Sequence, residues 1–160
     1  MNAVTGVGPR TGTSWVMGKL KEAGLEVHGQ QYNDHLWVRK HNPQGYWDLG
    51  LGDPLPESGI AKVWGVWKHP HIKRVVVLRR NDTQAQLRSM EKVFRDEKKL
   101  EAYKDLKLDL MDPTSVLLQY LRETTRWLKT RNTDNTMLVT TENLNNEIDG
   151  IIEFLKKEDI

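Results

Sequence analysis

Short apolar runs recur along the chain and predict four β-strands. Residues 2–7 alternate apolar and small side chains and lead directly into a glycine-rich turn. Residues 61–66 predict a second, short strand, and residues 136–140 predict the last one. Residues 74–78, Arg-Val-Val-Val-Leu, are almost continuously apolar. Because a strand of this kind is buried on both faces, the run favours a parallel sheet.

Longer segments with a helical spacing of apolar residues separate these strands. They predict helices over residues 13–23, 83–103, 114–130 and 147–157. Gly24 supplies a stop for the first helix, and Pro113 opens the third. Strands that alternate with helices indicate an α/β fold, with a short central parallel sheet between two layers of helices. At 160 residues the chain, residues 1–160, fits a single domain.

The stretch between the first helix and the second strand is irregular. Residues 25–60 are rich in asparagine, aspartate, glycine and proline, which are turn residues. Because loops of this length are uncommon in compact domains and usually functional, we expect part of a site in this stretch.

Composition and charge narrow the range of functions. The net charge of +2 does not point to a general nucleic-acid binder, although it allows a local positive site for a small anion. The chain has no cysteine, which excludes disulfides and thiolate metal sites. No apolar run approaches the roughly 20 residues of a membrane span, and the basic and apolar segments of a secretion signal are missing. We therefore expect a cytoplasmic protein that binds neither nucleic acid nor membrane.

Tryptophan is concentrated in the first part of the chain. Two interpretations remain open, since these residues either fill the core and the half-buried surface or form a flat aromatic wall for a substrate. The five residues concerned are Trp15, Trp37, Trp47, Trp64 and Trp67.

Residues 8–15, Gly-Pro-Arg-Thr-Gly-Thr-Ser-Trp, connect the first predicted strand to the first predicted helix. A helix N-terminus at this position offers free N–H groups and a partial positive charge to an anion. Gly8 and Gly12 permit close approach of the backbone, and Arg10 supplies a cation that pairs with phosphate or sulfate oxygens. The sequence therefore predicts an anion site. Further hydroxyl donors come from Thr11, Thr13 and Ser14.

The loop departs from the ATPase form G-x-x-x-x-G-K-[ST] at two positions. Thr13 stands where the lysine would be, and Val7 stands where the first glycine would be. A kinase-like P-loop enzyme would lack its phosphate lysine here and stays only as an alternative.

The segment from Pro9 to Trp15 resembles the loop P-[KR]-[ST]-G-T-[ST]-W of PAPS-dependent P-loop sulfotransferases at every position. The resemblance implies a P-loop fold and the sulfate donor PAPS (3′-phosphoadenosine 5′-phosphosulfate), which leaves as PAP. It also implies that Arg10 stabilises the charge that grows on the bridging and leaving oxygens. The donor-binding residues that it implies in this loop are Pro9, Arg10, Thr11, Gly12, Thr13, Ser14 and Trp15.

A second element of that family, a strand ending in arginine followed by a helix with a serine, holds the 3′-phosphate of the donor. Residues 75–81 resemble the strand, with Arg80 as the arginine. The usual offset to the serine is eight residues, whereas Ser89 lies nine residues after Arg80 and Arg88 lies eight after it. Either a one-residue bulge restores Ser89 to this role, or Arg88 takes it over.

Two further stretches resemble the same family. Residues 42–48 are similar to the segment N-P-x-G-[YF]-[YFW]-E found in a branch of small, uncharacterised bacterial and viral sulfotransferase-like proteins. Residues 139–144 are similar to V-x-Y-E-[DN]-L, with Thr141 in place of the tyrosine. The resemblance thus extends, loosely, over the entire chain.

Sulfuryl transfer needs a group that takes the proton of the attacking hydroxyl or amine. Asp48 is the first choice, because it takes the acidic position in the segment 42–48. Lys62 is a second catalytic candidate, at a place like that of the family lysine that contacts the transferring group. Other candidate bases are His35, His41, His69, His71 and Glu57. His69 and His71 lack a third metal ligand in view, and the chemistry requires no metal.

The main hypothesis is a PAPS-dependent sulfotransferase that acts on a small hydroxylated or amine-bearing acceptor. One alternative is a PAP-binding or nucleotide-binding protein of the same fold without transferase activity. A kinase-like P-loop enzyme is the other. The acceptor remains open among sugars, lipids, peptides and small alcohols, and the oligomeric state is not readable from the sequence.

Overall fold

The structure is a computed structural model, and it describes residues 1–30, 46, 48, 49, 54–97 and 112–157. Its centre is a four-stranded sheet in the order β2-β1-β3-β4, in which every pairing is parallel. This confirms the α/β class and the parallel sheet expected from the apolar runs. The strands are β1 (Asn2–Gly6), β2 (Ile60–Lys62), β3 (Val75–Arg79) and β4 (Thr136–Thr140).

Helices flank this sheet, and those that the structure describes lie near the predicted positions. They are α1 (Thr13–Glu22), α2 (Thr83–Glu97), α3 (Pro113–Thr130) and α4 (Leu144–Lys156). Asp112 caps α3 by accepting a hydrogen bond from the Ser115 N–H, and the proline that follows fits the first helical turn. The predicted continuation of α2 over 98–103 lies outside the described residues.

Two predicted boundaries are wrong. The second strand ends at Lys62 rather than at residue 66, because Gly65 adopts a left-handed φ of 62° and turns the chain into a 3-10 helix, Val66–Lys68. The last helix begins at Leu144 rather than at residue 147, directly after the 3-10 turn Thr141–Asn143. Each error lies where a short turn interrupts the apolar periodicity on which the prediction rests.

The stretch 25–60 contributes to the sheet although it looks irregular in sequence. Val27 forms a parallel bridge with Ile60, and Leu49 forms another with Val63. The described parts of the stretch therefore run beside β2. They bring Asp48 close to the carboxyl end of that strand.

Apolar side chains pack on both faces of the sheet, as expected for a three-layer arrangement. On one face, residues of α1 and α4 such as Met17 and Ile151 pack on Val4 and Val76. On the other face, Leu121 and Leu128 of α3 pack against a cluster that includes Val77. Within the described ranges, no helix is both long and apolar enough to cross a membrane.

The chain connections place a crevice at the carboxyl ends of β1 and β3. From β1 the chain continues into α1 on one face, whereas from β3 it continues through α2 to α3 on the other. Ligands of open α/β sheets bind where connections diverge in this way, because the loops separate at that point.

Candidate functional site

The loop between β1 and α1, residues 7–12, begins at this crevice and has an unusual backbone. The Val7 N–H donates to the carbonyl of Leu78 at 2.8 Å, which fixes the start of the loop to β3. Gly8 has a φ of 82°, and a Cβ there would lie 2.8 Å from Cδ1 of Leu117. Arg10 has a φ of 66°, a left-handed conformation that costs a non-glycine residue about 1–2 kcal/mol. Contacts elsewhere must therefore hold this loop in shape.

Those contacts come from side chains that bind the carbonyls of the β1–α1 loop. Gln86 of α2, only 2% exposed, donates its Nε2 protons to the Val7 carbonyl at 3.0 Å and the Pro9 carbonyl at 2.8 Å. Arg80 Nη1 donates to the Arg10 carbonyl at 3.1 Å. Carbonyl and N–H point in opposite directions across a trans peptide. Each carbonyl bound in this way therefore directs the N–H of the following loop residue away from the side chain that binds the carbonyl.

Thr141 completes the set of contacts, because its hydroxyl donates to the carbonyl of Thr11 at 2.7 Å. Thr141 is the residue that stands where the similar family motif has tyrosine. Neither Gln86 nor Thr141 is a candidate from sequence. The signal for Gln86 is its place in the buried stripe with Met90 and Val93, where a polar residue needs internal partners.

Among the described α-helices that begin at this crevice, α1 is the one whose N-terminal N–H groups donate to no carboxylate. Its N-cap is Gly12, which has no side chain, and its first turn contains no acidic residue. By contrast, the carboxylate of Glu142 accepts hydrogen bonds from the N–H groups of Asn81 at 3.1 Å and Asp82 at 3.0 Å, just before α2. The free N–H groups and dipole of α1 are therefore available to an external anion.

Thr11 adds a hydroxyl that has no partner in the described structure. Its Oγ1 is buried and makes no hydrogen bond. It lies above Gly6, where a Cβ would come within 2.0 Å of it, so any larger residue at position 6 would displace it. A buried hydroxyl left unpaired is unfavourable unless a ligand supplies the partner. The residues of this loop thus fit a phosphate-like group.

Two arginines meet beside the loop. Arg10 Nε donates a hydrogen bond to Oγ of Ser89 at 2.9 Å, and Arg80 donates one to the backbone carbonyl of Arg10. Desolvation lowers the pKa of the Arg10 guanidinium, and the positive charge of Arg80 lowers it further. Arginine nevertheless stays charged at neutral pH, so two like charges converge here. Such an arrangement favours an anion of more than one negative charge between them.

Lys62 and Asp48 form the opposite wall of the site. The Lys62 ammonium, 7% exposed, donates to Oγ of Ser14 at 3.0 Å and lies 3.3 Å from Oδ2 of Asp48. The backbone fixes this pair, because the Leu49 N–H donates to the Lys62 carbonyl at 2.8 Å. Lys62 thus connects the first turn of α1 to a carboxylate.

The structure brings most of the predicted site residues together, in two groups. Arg10, Arg80 and Ser89 lie on one side of the loop, and Ser14, Lys62 and Asp48 lie on the other. Thr13 opens α1, and Pro9 takes part through its carbonyl.

Some predicted residues lie elsewhere. Arg88 is exposed and makes no hydrogen bond or ion pair within the described residues, so Ser89 rather than Arg88 faces the loop. Trp15 packs against the apolar cluster of α1 and α4, which favours a role in packing. Glu57 lies at the opposite, amino-terminal edge of the sheet, where its carbonyl accepts from the Met1 ammonium, so the prediction that it is a base is wrong.

Among the residues that the structure describes, neither His69 nor His71 has a contact with the loop. His71 is exposed, two residues before Lys73, whose N–H donates to the Met1 carbonyl at the amino-terminal edge. His69 has a buried Nε2 without a hydrogen-bond partner in the described structure. His35 and His41 lie outside the described residues, as do Trp37 and Trp47.

An aromatic cluster of Trp64, Trp67 and Tyr120 adjoins this wall. The Tyr120 ring contacts Trp64 edge-on at 5.0 Å between centroids and Trp67 at 5.3 Å, with interplanar angles of 88° and 78°. Tyr120 is 6% exposed, and its hydroxyl has no hydrogen-bond partner among the described groups. Sequence periodicity predicts Tyr120 only as a core residue of α3, and nothing in that pattern indicates an unpaired hydroxyl.

A comparison with models of known protein families finds no match, and a comparison with curated proteins finds none either. The class of protein that the structure defines is therefore a small α/β protein with a parallel sheet. Its function has to be argued from the site itself.

Proposed function

We propose that this protein is a PAPS-dependent sulfotransferase with a P-loop fold. The observation that carries the proposal is the convergence of Arg10, Arg80 and Ser89 on a loop whose helix N-terminus is uncapped. Together with the resemblance of residues 9–15 to the sulfotransferase loop, this arrangement supports a donor that carries two separate phosphate groups.

Each group of residues has a distinct task in donor binding. The first-turn N–H groups of α1 and the Thr11 hydroxyl bind the 5′-phosphate. Arg80 and Ser89 bind the 3′-phosphate, and Arg10 lies between the two regions and stabilises negative charge on the leaving phosphate. All of these interactions are hydrogen bonds to oxygen, and the arginine contacts are charge-assisted.

Asp48 and Lys62 serve the acceptor side of the reaction. Bound PAPS supplies a sulfuryl group: the acceptor oxygen bonds to sulfur as the S–O bond to the 5′-phosphate breaks, and the bond's electron pair leaves with PAP. Asp48 takes the proton that the acceptor hydroxyl loses, through Oδ1, which makes no hydrogen bond within the described residues. Lys62, anchored on Ser14, holds the carboxylate in place.

Calorimetric titration with PAP tests the donor site directly, with ATP–Mg²⁺ and AMP as competing ligands. We expect wild type to bind PAP more tightly than either, and Arg10→Ala to weaken PAP binding roughly 10- to 100-fold through loss of charge-assisted bonds. Arg79→Ala is the matched control, because Arg79 is exposed, directly precedes Arg80, and its substitution removes the same charge.

Three results would contradict the proposal. If PAP fails to bind, or if ATP binds better, the site is not a PAPS site, and the second result would favour the kinase-like alternative. If PAP binds but no acceptor is ever sulfated, the protein is a nucleotide-binding protein of the same fold.

A further inference from the structure

The hydroxyl of Tyr120 is one of the buried, unpaired polar groups in the described residues that the donor site leaves without a function. A phenol hydroxyl both donates and accepts hydrogen bonds, and buried hydroxyls are nearly always paired. The Tyr120 hydroxyl is buried and unpaired within the described structure, although its ring is fixed between two tryptophans. Because the ring cannot easily turn to find another partner, a ligand oxygen is the natural partner.

This hydroxyl belongs to the acceptor side of the site. The Trp64 N–H donates to the Leu49 carbonyl at 2.9 Å, and Leu49 follows Asp48 directly, so the backbone joins the aromatic cluster to the candidate base. Desolvation raises the pKa of Tyr120, and the negative charge of Asp48 raises it further. The phenol therefore stays neutral and able to donate a hydrogen bond.

We infer that the aromatic cluster is the acceptor subsite, and that Tyr120 hydrogen-bonds an acceptor oxygen other than the one that is sulfated. The acceptor class that this assigns is a neutral alicyclic polyol, the chemistry of sugars and cyclitols. The inference rests on the proposed sulfotransferase function and adds the substrate class to it.

Three features of the aromatic cluster and of the adjoining wall favour a neutral alicyclic polyol. The half-buried indoles of Trp64 and Trp67 offer apolar surface to the C–H faces of a ring. Asp48 and Lys62 neutralise each other across 3.3 Å, so the wall favours an uncharged acceptor. Two separate polar groups, Asp48 and Tyr120, require two acceptor oxygens, which a monohydric alcohol lacks. In the transfer, one hydroxyl loses its proton to Asp48 as its oxygen bonds to sulfur, while the second keeps its proton and pairs with Tyr120.

The test compares sulfation, with PAPS as donor, of cyclohexanol and of the three positional isomers of cyclohexanediol, with sulfate esters quantified by mass spectrometry. We expect wild type to prefer at least one diol over cyclohexanol in kcat/KM, and Tyr120→Phe to lower that preference about tenfold, the loss of one hydrogen bond. Thr124→Val is the matched control, because Thr124 carries another buried, unpaired hydroxyl one turn further along α3. It is expected to keep the wild-type preference.

If the hydroxyl had a structural role instead, Tyr120→Phe would lower the melting temperature of the protein. Tyr120→Phe keeps the ring contacts and removes an unpaired buried group, so its melting temperature is expected to match or exceed that of wild type. Equal preferences in wild type and Tyr120→Phe would overturn the inference while the donor site stands. PAP binding without sulfation of any of these alcohols would also overturn the assigned class, whereas failure of PAP to bind would remove the proposed function and this inference together.

Discussion

Arg10 Nε donates a hydrogen bond of 2.9 Å to Oγ of Ser89, a residue 79 positions away in the sequence. This contact joins the β1–α1 loop to α2, so that one guanidinium takes part in both ends of the candidate donor site. Ser89 rather than Arg88 therefore contacts the loop, and which of the two holds a 3′-phosphate stays a prediction. Only the residue at the longer offset reaches the loop.

The left-handed backbone at Arg10 leads to a prediction that compares two substitutions at one position. Arg10→Ala and Arg10→Gly both remove the guanidinium, so both are expected to weaken PAP binding. Glycine adopts a φ of 66° without steric cost, whereas alanine, like the arginine that it replaces, is strained there. Arg10→Gly should therefore be the more stable variant, by up to about 1 kcal/mol in urea unfolding. Equal stability, or a more stable Arg10→Ala, would mean that the protein in solution does not hold this conformation.

The hydrogen bonds of Gln86 predict that the stability of the fold and the conformation of the β1–α1 loop are coupled. Gln86→Leu removes both donors and leaves the carbonyls of Val7 and Pro9 unpaired, which is expected to cost about 1–3 kcal/mol and to weaken PAP binding. Urea unfolding and calorimetry measure the two effects. Gln84→Leu changes an exposed glutamine of the same helix and serves as control. An unchanged PAP affinity in Gln86→Leu would show that these bonds do not set the loop conformation.

The carboxylate of Glu142 is expected to account for part of the stability that the protein loses at acid pH. The hydrogen bond from the Asp82 N–H is the largest cause that lowers the pKa of Glu142. Desolvation opposes it, whereas the Asn81 N–H and the charge of Arg80 lower the pKa further. Because the folded pKa lies below the unfolded value of about 4.3, this carboxylate stabilises the fold above that pH. The contribution disappears as the pH falls through the folded pKa.

Glu142→Gln should therefore be less stable than wild type at pH about 7, and the difference should shrink below pH about 4. Urea unfolding across that range measures it. Asp112 remains in the variant, and its pKa is also lowered, chiefly by the hydrogen bond from the Ser115 hydroxyl. The pH dependence should for that reason be reduced rather than abolished. Glu153→Gln, at an exposed position of α4, is the control, and an identical pH profile for both variants would refute the assignment.

The proposed role of Asp48 predicts that its substitution lowers turnover without changing donor binding. Asp48→Asn keeps the size of the side chain and removes the proton acceptor, so kcat for any accepted alcohol is expected to fall by about 100-fold or more. PAP binding should change little, because Arg10, Arg80 and Ser89 are untouched. Steady-state sulfation and calorimetry on the same preparation check both statements. A variant that keeps wild-type kcat would exclude Asp48 as the base.

The fold was largely predictable from sequence because its signals are local. The continuous apolar run of β3 and the amphipathic spacing of α3 identify their elements without tertiary information. The boundaries that failed, at Gly65 and Leu144, depend on short turns whose geometry the surrounding packing decides. The parallel bridges of Val27 and Leu49 were not predicted, since single residue pairs leave no periodicity.

The candidate site was predictable only where a contiguous motif carries it. The loop residues stand next to one another in sequence, so their anion-binding character is readable directly. By contrast, the partners that Gln86 and Thr141 provide depend on which strands lie side by side, and no local spacing encodes that order. Tyr120 illustrates the same limit, because a buried tyrosine in a helix reads as core until its missing hydrogen bond is seen.

The central position of β1 has a consequence for how the protein is made. Asn2 pairs with Ile60 and Ala3 pairs with Val75, so about 60 residues have to be synthesised before β1 finds its first neighbour, and about 75 before it finds its second. At roughly 5–20 residues per second on the ribosome, β1 waits several seconds with its edges open. The β1–α1 loop waits longer, because Arg80, Gln86 and Thr141 follow later still. The loop therefore takes up its shape only after β4 has been made, and until then β1, the first of the four described strands to be made, is the strand that most needs protection from aggregation.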